Sequence, residues 1–266
     1  MTPSNDDVRT QYQDDRNLNA RIALHAQYST NPYGWQRWVF DHIDLPATAH
    51  VLELGCGPGG LWTANRERVP EGWRMTMTDA SPGMVATAHG NLAPIDGRFS
   101  FATADALTIA FPDNAFDGVI ANHMLYHVPD RARALAEIRR VLTPAGRLFA
   151  TTVGESHMHE MWALLASFVP DIHTRVTQVS QGFTLENGGA QLERVFGEVT
   201  RADYPDNLVV TEVQPVIDYI RSSNTLMGCS VSPNEWAAIR RQITAHIDFR
   251  GAFHIQKASG LFVAHS

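Results

Sequence analysis

Between Val51 and Val153, short apolar runs alternate with stretches whose apolar residues recur at helical spacing. Val51 to Leu54, Trp73 to Thr78, Phe99 to Thr103, Phe116 to Ala121 and Arg147 to Val153 have the length and composition of buried strands. The intervening segments read as helices. Leu61 to Val69 is the first. Pro82 to His89 is the second, with Ser81 as its N-cap and proline at its first helical position. A third begins after Pro129-Asp130, carries Leu135, Ile138, Val141 and Leu142 on one face, and stops at the turn Thr143-Pro144-Ala145-Gly146. Five strands alternating with helices over about 105 residues predict a doubly wound, Rossmann-like parallel sheet.

The flanks follow a different pattern. From Leu18 to Ile43, Ile22, Leu24, Tyr28, Trp35, Trp38 and Val39 fall at helical spacing on either side of Asn31-Pro32-Tyr33-Gly34, so two helices around a turn are expected. Residues 1 to 15 are too polar to support more than a frayed helix. Beyond Gly154 the alternation is lost. Met158 to Val169 reads as an apolar helix, Asp171 to Gly182 as irregular or partly helical, and Gln191 to Phe196 as helical. Val199 to Tyr204 and Gly260 to His265 read as strands six and seven, with helices at Pro215 to Ser222 and Pro233 to Phe249 between them. The expected plan is therefore an α/β fold: a seven-stranded, mostly parallel sheet with an N-terminal helical arm (1–45) and an α/β core (46–206). A helical lid (207–255) is inserted late in the sheet, before a final core strand (256–266).

The chain has 266 residues, 44% of them hydrophobic and 18% charged, and a net charge of −7. These values fit a folded globular protein. Arg139-Arg140 and Arg240-Arg241 are isolated pairs, so there is no basic stripe of the kind nucleic acid requires. No apolar run approaches the roughly 18 residues of a membrane span. The acidic N-terminus lacks the apolar core of a signal peptide. Cys56 and Cys229 do not make a disulfide framework, and a reducing cytoplasm is the expected location.

Candidate chemistry concentrates at the ends of the expected strands. Val51 to Leu54 runs straight into Gly55-Cys56-Gly57-Pro58-Gly59-Gly60 and then a helix, the strand–turn–helix order that presents backbone N–H groups to a ligand. Gly55, Gly57 and Gly60 also fit the loose dinucleotide signature, which is weak evidence alone. Glu53, two residues ahead of the turn, has the wrong sign for a pyrophosphate and the right one for an ammonium or sulfonium. Asp79 and Asp105 stand at the ends of the next two strands. A carboxylate there accepts two hydrogen bonds from a ribose diol, or one from an adenine amino group with the Ala106 backbone alongside. Taken singly, each acid reads equally well as a helix N-cap.

Glu53 to Gly59 is similar to motif I of the class I methyltransferases that use S-adenosylmethionine. Asp79-Ala80-Ser81-Pro82-Gly83-Met84 resembles that family's ribose-binding stretch. Phe116 to Ile120 with Leu125 to Asp130 resembles its motif IV region, and Glu137 to Leu148 resembles the helix and turn before strand five. The resemblance covers about 50 to 155. It implies that Glu53 and the turn of Gly55, Cys56, Gly57 and Gly59 hold the methionine part of the cofactor. It further implies that Asp79, Ala80 and Met84 hold the ribose, and Asp105 and Ala106 the adenine, with Asn122 and His123 facing the sulfonium. Asn122-His123-Met124-Leu125 departs from the Asn-Pro-Pro-aromatic pattern, which speaks against methylation of base or amide nitrogens, and nothing suggests a carboxylate-held metal.

Methyl transfer to a hydroxyl, the first expectation for the acceptor, needs a base that titrates near neutral pH; carbon and nitrogen are the alternatives. His123, His127 and His157 are the candidates, with His25 and His159 behind them, and for each taken alone a surface or supporting role is the plainer reading. The run Glu155 to Glu160 looks like a ligand cluster, but alternate residues on a helix diverge, so no metal is expected. Tyr28, Tyr33, Trp35 and Trp38 suit stacking on a cation or a ring as well as plain packing. Trp162, Leu165, Phe168, Phe183, Leu226, Met227 and Trp236 make the late region apolar, which suits a small, fairly apolar acceptor, and equally a dimer contact. A monomer or homodimer is expected, with neither nucleic acid nor membrane as a partner. Two rivals stay open: a nicotinamide-dependent oxidoreductase, and a binding protein that keeps the cofactor pocket without turnover.

Overall fold

The computed structural model describes residues 16–92, 97–228 and 230–266; Met1 to Asp15, Cys229, and the side chains of Leu226 and Met227 lie outside the described residues. In chain order the elements open with helices α1 (Arg16–Tyr28) and α2 (Trp35–Asp41), then strand β1 (His50–Leu54) and helix α3 (Gly60–Asn65). Next come β2 (Arg74–Asp79), α4 (Pro82–Leu92), β3 (Phe99–Thr103), β4 (Phe116–Asn122), a 3-10 turn (Leu125–His127), α5 (Arg131–Val141) and β5 (Leu142–Val153). The remainder is α6 (His159–Leu165), α7 (Ile172–Ser180), α8 (Gly188–Leu192), β6 (Glu198–Asp203), β7 (Asn207–Val210), α9 (Val213–Met227), α10 (Pro233–Arg250), β8 (Phe253–Gln256) and β9 (Ser259–His265).

The chain divides into two compact units. The first comprises Trp35–Gly154, Gly182–Tyr204 and Ser259–Ser266. It holds a seven-stranded sheet in the order β3-β2-β1-β4-β5-β9-β6. β1 to β5 pair in parallel, and β9 lies antiparallel to both β5 and β6. The parallel strands are apolar because helices cover both faces. Val51, Leu52, Met75, Met77, Val119, Ile120, Leu148 and Phe149 are all buried. At roughly 1.5–3 kcal/mol for each large side chain taken out of water, this core is the main source of the unit's stability.

Local signals place the connections. Asp130 caps α5 by accepting from Arg133 N at 3.0 Å. Arg140 at the other end of α5 donates to Glu137, Asp113 and the carbonyls of Ile109 and Phe111, and Glu137 in turn accepts from Ile109 N at 2.9 Å. The β3–β4 loop is thereby tied to the helix, and the Arg140 guanidinium holds the Glu137 carboxyl down at about 2. The expected turn at Thr143 to Gly146 is instead a bulge inside β5. Leu142 pairs with Phe116, and the register then shifts so that Gly118 faces Arg147.

The second unit groups the described residues up to Gly34 with Glu155–Gln181 and Pro205–Ala258. Residues 155–181 therefore pack with the N-terminal helix and with the late insertion. Their shared apolar core includes Leu24, Met161, Trp162, Leu165, Ile217, Ile220, Ile239, Ile243 and Phe253. The insertion is not purely helical: β7 and β8 pair antiparallel, from Asn207 opposite Gln256 to Val210 opposite Phe253. Helix α10 begins on a full capping box, with Ser232 and Glu235 exchanging bonds, and ends at Gly251 with φ +80°. Buried Asp206 pairs with Lys257 and accepts from Ser29, and Asn31 N donates to it at 3.0 Å, tying three distant segments of this unit together.

Candidate functional site

β1 and β4 are neighbours in the sheet although β2 and β3 intervene in sequence, so the chain reverses its direction of travel between them. That switch point opens a crevice at the carboxyl ends of the strands. Gly55, Gly57 and Gly59 begin the crevice, at φ +69°, +52° and +78°. Side-chain-bearing residues pay for such angles. Gly55 has a second reason to be glycine, because a Cβ there would come within 2.8 Å of Met124 Cβ in the loop after β4. Cys56 sits between them, buried, its thiol pushed up by burial and by the nearby carboxylates, so it is a neutral packing group.

Glu53 lies at the foot of the turn, level with Met77 and Ile120, and is 2% exposed. Each of its carboxyl oxygens accepts one hydrogen bond. Trp62 Nε1 donates to Oε2 at 2.6 Å and Asn122 Nδ2 to Oε1 at 3.3 Å. Burial pushes its pKa up to about 8, and Asp79 adds to the rise, while the two donors work against it. Among the described residues its two hydrogen-bond donors, Trp62 and Asn122, are neutral. Such a buried acid is matched to a positively charged visitor.

Asp79 ends β2 and anchors the turn: Oδ2 accepts from Gly57 N at 3.0 Å and Oδ1 from Ser81 N at 2.8 Å. Each oxygen keeps a lone pair for a further donor. Burial raises this carboxyl as well. Ala80 beside it is exposed, whereas Met84, in the first turn of α4, is buried. Asp105 follows β3 and is exposed. Its Oδ1 accepts from Leu107 N at 2.9 Å, closing a turn in which Ala106 is buried. The three acids thus stand on consecutive strands of one parallel edge, each in a different environment.

At the end of β4, Asn122 is clamped: its Nδ2 reaches Glu53 and its Oδ1 accepts from Thr151 Oγ1 at 3.2 Å. Thr151 Oγ1 also accepts from His123 N at 3.0 Å. These bonds hold His123 at φ +50°, an uncommon conformation for a residue with a side chain. Its ring meets Trp35 at 5.1 Å, and Trp35 in turn stacks on Trp38 at 5.3 Å and meets Tyr204 edge-on at 5.2 Å. Tyr126, in the 3-10 turn, lies 6.4 Å from His123 and 4.5 Å from His127. The half-buried His127 ring therefore packs edge-on against Tyr126.

The remaining histidines belong to the second unit. Ala258 N donates to His157 Nδ1 at 3.2 Å, which leaves the ring proton on Nε2. His25 lies 6.2 Å from His157 and edge-on to Tyr219 at 5.8 Å, while His159 stacks on His173 at 5.8 Å. His157 and His159 thus face different neighbours. Tyr28 is packed in this unit's core, and its hydroxyl is pushed up by burial and by Glu212.

Trp62, Thr151 and Thr78, whose hydroxyl donates to the Glu53 carbonyl at 2.7 Å, are site residues that sequence reasoning missed. The signal for Trp62 was its place in the first turn of the helix after the glycines, nine residues from Glu53, where an indole N–H can reach back. Nothing in the sequence marks Thr151.

Residues 52–150 match the family model described as a methyltransferase domain. The chain is 36% identical over 114 residues to a demethylmenaquinone methyltransferase of Thermus thermophilus, covering 43% of this chain and 51% of that protein. It is 32% identical over 116 residues to a ubiquinone/menaquinone biosynthesis C-methyltransferase of Hahella chejuensis, covering 43% and 47%. The chain thus spans about half the length of the curated relatives it matches. Among solved structures, phosphoethanolamine N-methyltransferase 2 of Haemonchus contortus, in complex with S-adenosyl-L-methionine, superposes with a TM-score of 0.62 at 19% identity, covering 97% of this chain and 58% of that one. The fold is the Rossmann-like methyltransferase fold.

Proposed function

We propose that this chain, whose residues 52–150 are a methyltransferase domain of the class I S-adenosylmethionine-dependent family, binds S-adenosylmethionine along the carboxyl edge of β1, β2 and β4 and methylates a small, fairly apolar acceptor. The observation that carries this reading is Glu53, a buried acid with a raised pKa and only neutral hydrogen-bond donors among the described residues, at the foot of a turn of positive-φ glycines. A nicotinamide cofactor brings a pyrophosphate to that turn, where the two acids Glu53 and Asp79 offer it no positive charge and, once ionised, repel it. An ammonium and a sulfonium answer the same charges.

Bound there, S-adenosylmethionine supplies a methyl carbon already made electrophilic by its positive sulfur. The protein's own work is to bind, align and keep out water. In this assignment Glu53 and the Gly55–Gly59 turn take the amino-acid end, Asp79 the ribose hydroxyls, and Asp105 with Ala106 the adenine edge. Asn122 is held by Glu53 and Thr151 and so gives the sulfonium end a fixed wall. His123 is the residue we assign to proton removal from the acceptor, because Thr151 holds its strained backbone and Trp35 flanks its ring. His127 is assigned a supporting role against Tyr126.

Two relatives named above are quinone-pathway methyltransferases, one of them acting on carbon, which favours an activated ring carbon over a hydroxyl as the atom methylated. The aromatic wall of Trp35, Trp38 and Tyr204 suits a flat acceptor. No helix among the described residues is long and apolar enough to cross a membrane.

Isothermal titration with S-adenosylhomocysteine and, separately, with NADH tests the cofactor. Micromolar binding of the former is expected, and binding of NADH alone ends the reading. Transfer of a labelled methyl group to a panel of phenols and quinols tests the reaction. Binding without any methylated product would leave a cofactor-binding protein. His123→Ala should cut kcat by about a hundred-fold if the ring removes a proton.

A further inference from the structure

Gln36, in α2, belongs to the same unit as the glycine turn. Its backbone is pinned, for Asn65 Nδ2 donates to the Gln36 carbonyl at 2.9 Å and to the Leu61 carbonyl at 2.8 Å, joining α2 to α3. Its side chain then lies across Gly60, the first residue of α3. A Cβ added at Gly60 would sit 3.4 Å from Gln36 Nε2 and 3.9 Å from its Cδ. The Gln36 carboxamide therefore packs in van der Waals range of the third glycine of the pattern, its Nε2 nearest. That carboxamide is not satisfied: Gln36 Oε1 is buried and accepts no hydrogen bond among the described residues.

A buried acceptor without a donor has given up its water for nothing in return. Natural proteins keep few of them, and those they keep call for a reason. Here the orphan oxygen stands beside the turn to which the amino-acid end of the cofactor has been assigned. An ammonium brings N–H donors to that place, and the amide's own N–H groups suit the neighbouring carboxylate. Glu53 is too deeply engaged with Trp62 and Asn122 to meet the whole zwitterion alone.

Resting on the methyl-donor reading above, we infer that the Gln36 carboxamide binds the amino-acid end of S-adenosylmethionine, its Oε1 accepting from the ammonium. The site is then completed by a residue outside the strand-end motifs, brought in by the helix that precedes the sheet.

The test is a cycle of ligand truncation against mutation. S-adenosylhomocysteine and 5′-methylthioadenosine share the nucleoside, and only the first has the amino acid. In wild-type protein and in Gln36→Met, similar in length but without polar atoms, the two dissociation constants are compared by calorimetry. The expected result is a loss of about ten-fold or more for S-adenosylhomocysteine and none for 5′-methylthioadenosine. The melting temperature of the free Gln36→Met protein should not fall, since the variant deletes an unsatisfied acceptor. Equal losses for both ligands, or no loss for either, overturn the assignment while leaving the cofactor reading standing. Failure of wild type to bind either ligand overturns both. Should Gln36→Met not fold, Gln36→Asn, which withdraws the amide by one methylene, is read against the same two ligands with the same outcomes.

Discussion

Replacing Glu53 by glutamine isolates the buried charge on which the site is built. The carboxyl is 2% exposed, and its folded-state pKa is raised from 4.5 to about 8, chiefly by burial. Folding therefore favours the protonated acid. That contribution is fully present below about pH 4.5 and is lost as pH rises through about 8, because ionisation inside the fold then has to be forced. At about 1.4 kcal/mol per unit, the shift is worth on the order of 5 kcal/mol; water entry and side-chain relaxation make this an upper bound. In Glu53→Gln the term vanishes at every pH. The amide oxygen still accepts from Trp62, and a flipped Asn122 still finds a partner. Unfolding free energies from urea titrations of the two ligand-free proteins at about pH 5, 7 and 9 provide the assay. Glu53→Gln should be similar to or less stable than wild type at the acid end and more stable by about 2 kcal/mol or more at the alkaline end. Asp79, whose carboxyl is also raised, titrates in both proteins, and its repulsion of an ionised Glu53 is relieved in the variant, which adds to the expected difference at the alkaline end. Curves that run parallel within about 0.5 kcal/mol would refute the claim that Glu53 is a buried, uncompensated acid.

Cation binding should reverse that linkage. At pH 7, S-adenosylhomocysteine binding should release close to one proton in wild type and almost none in Glu53→Gln, read from calorimetry in two buffers of different ionisation enthalpy. Asp79→Ala should weaken cofactor binding by about 1.5–3 kcal/mol through lost charged hydrogen bonds, and unchanged affinity in a folded variant counts against the ribose assignment. At position 123, glycine should be more stable than alanine by about 1 kcal/mol in thermal unfolding, because only alanine retains the penalty of φ +50° once the ring is gone. Asp206→Asn strands the buried Lys257 ammonium and should cost about 3–5 kcal/mol in urea unfolding, while Asp206→Asn combined with Lys257→Met should recover part of it.

The sheet was legible because each central strand announces itself twice: as an apolar run and as the start of a turn. Val51 to Leu54 followed by a glycine-rich turn, and Phe116 to Ala121 followed by Asn122-His123, needed no tertiary information. The missed elements depend on partners far away in sequence. β7 and β8 are four residues each, and only their mutual pairing makes Asn207–Val210 and Phe253–Gln256 strands. The segment 155–181 carries apolar residues at helical spacing, but spacing does not say against which layer a helix packs. Its side chains joined those of α1 and the late insertion.

The same limit applies at the site. The three acids were readable because strand ends are local, yet their environments were not. Asp105 is exposed and closes a turn, Asp79 holds the glycine loop through two backbone N–H groups, and Glu53 is sealed under Trp62 and Asn122. The same carboxyl chemistry therefore yields one acid exposed in a turn and one that burial pushes up to about 8. What separates them is desolvation, a property of everything packed around the carboxylate. The residues bonded to Glu53, Trp62 from α3 and Asn122, itself held by Thr151 of β5, converge only after the parallel strands are in register. A sequence can thus name the charges that face a cofactor, whereas their protonation states, and with them the pH at which a cation is welcomed, belong to the packed fold.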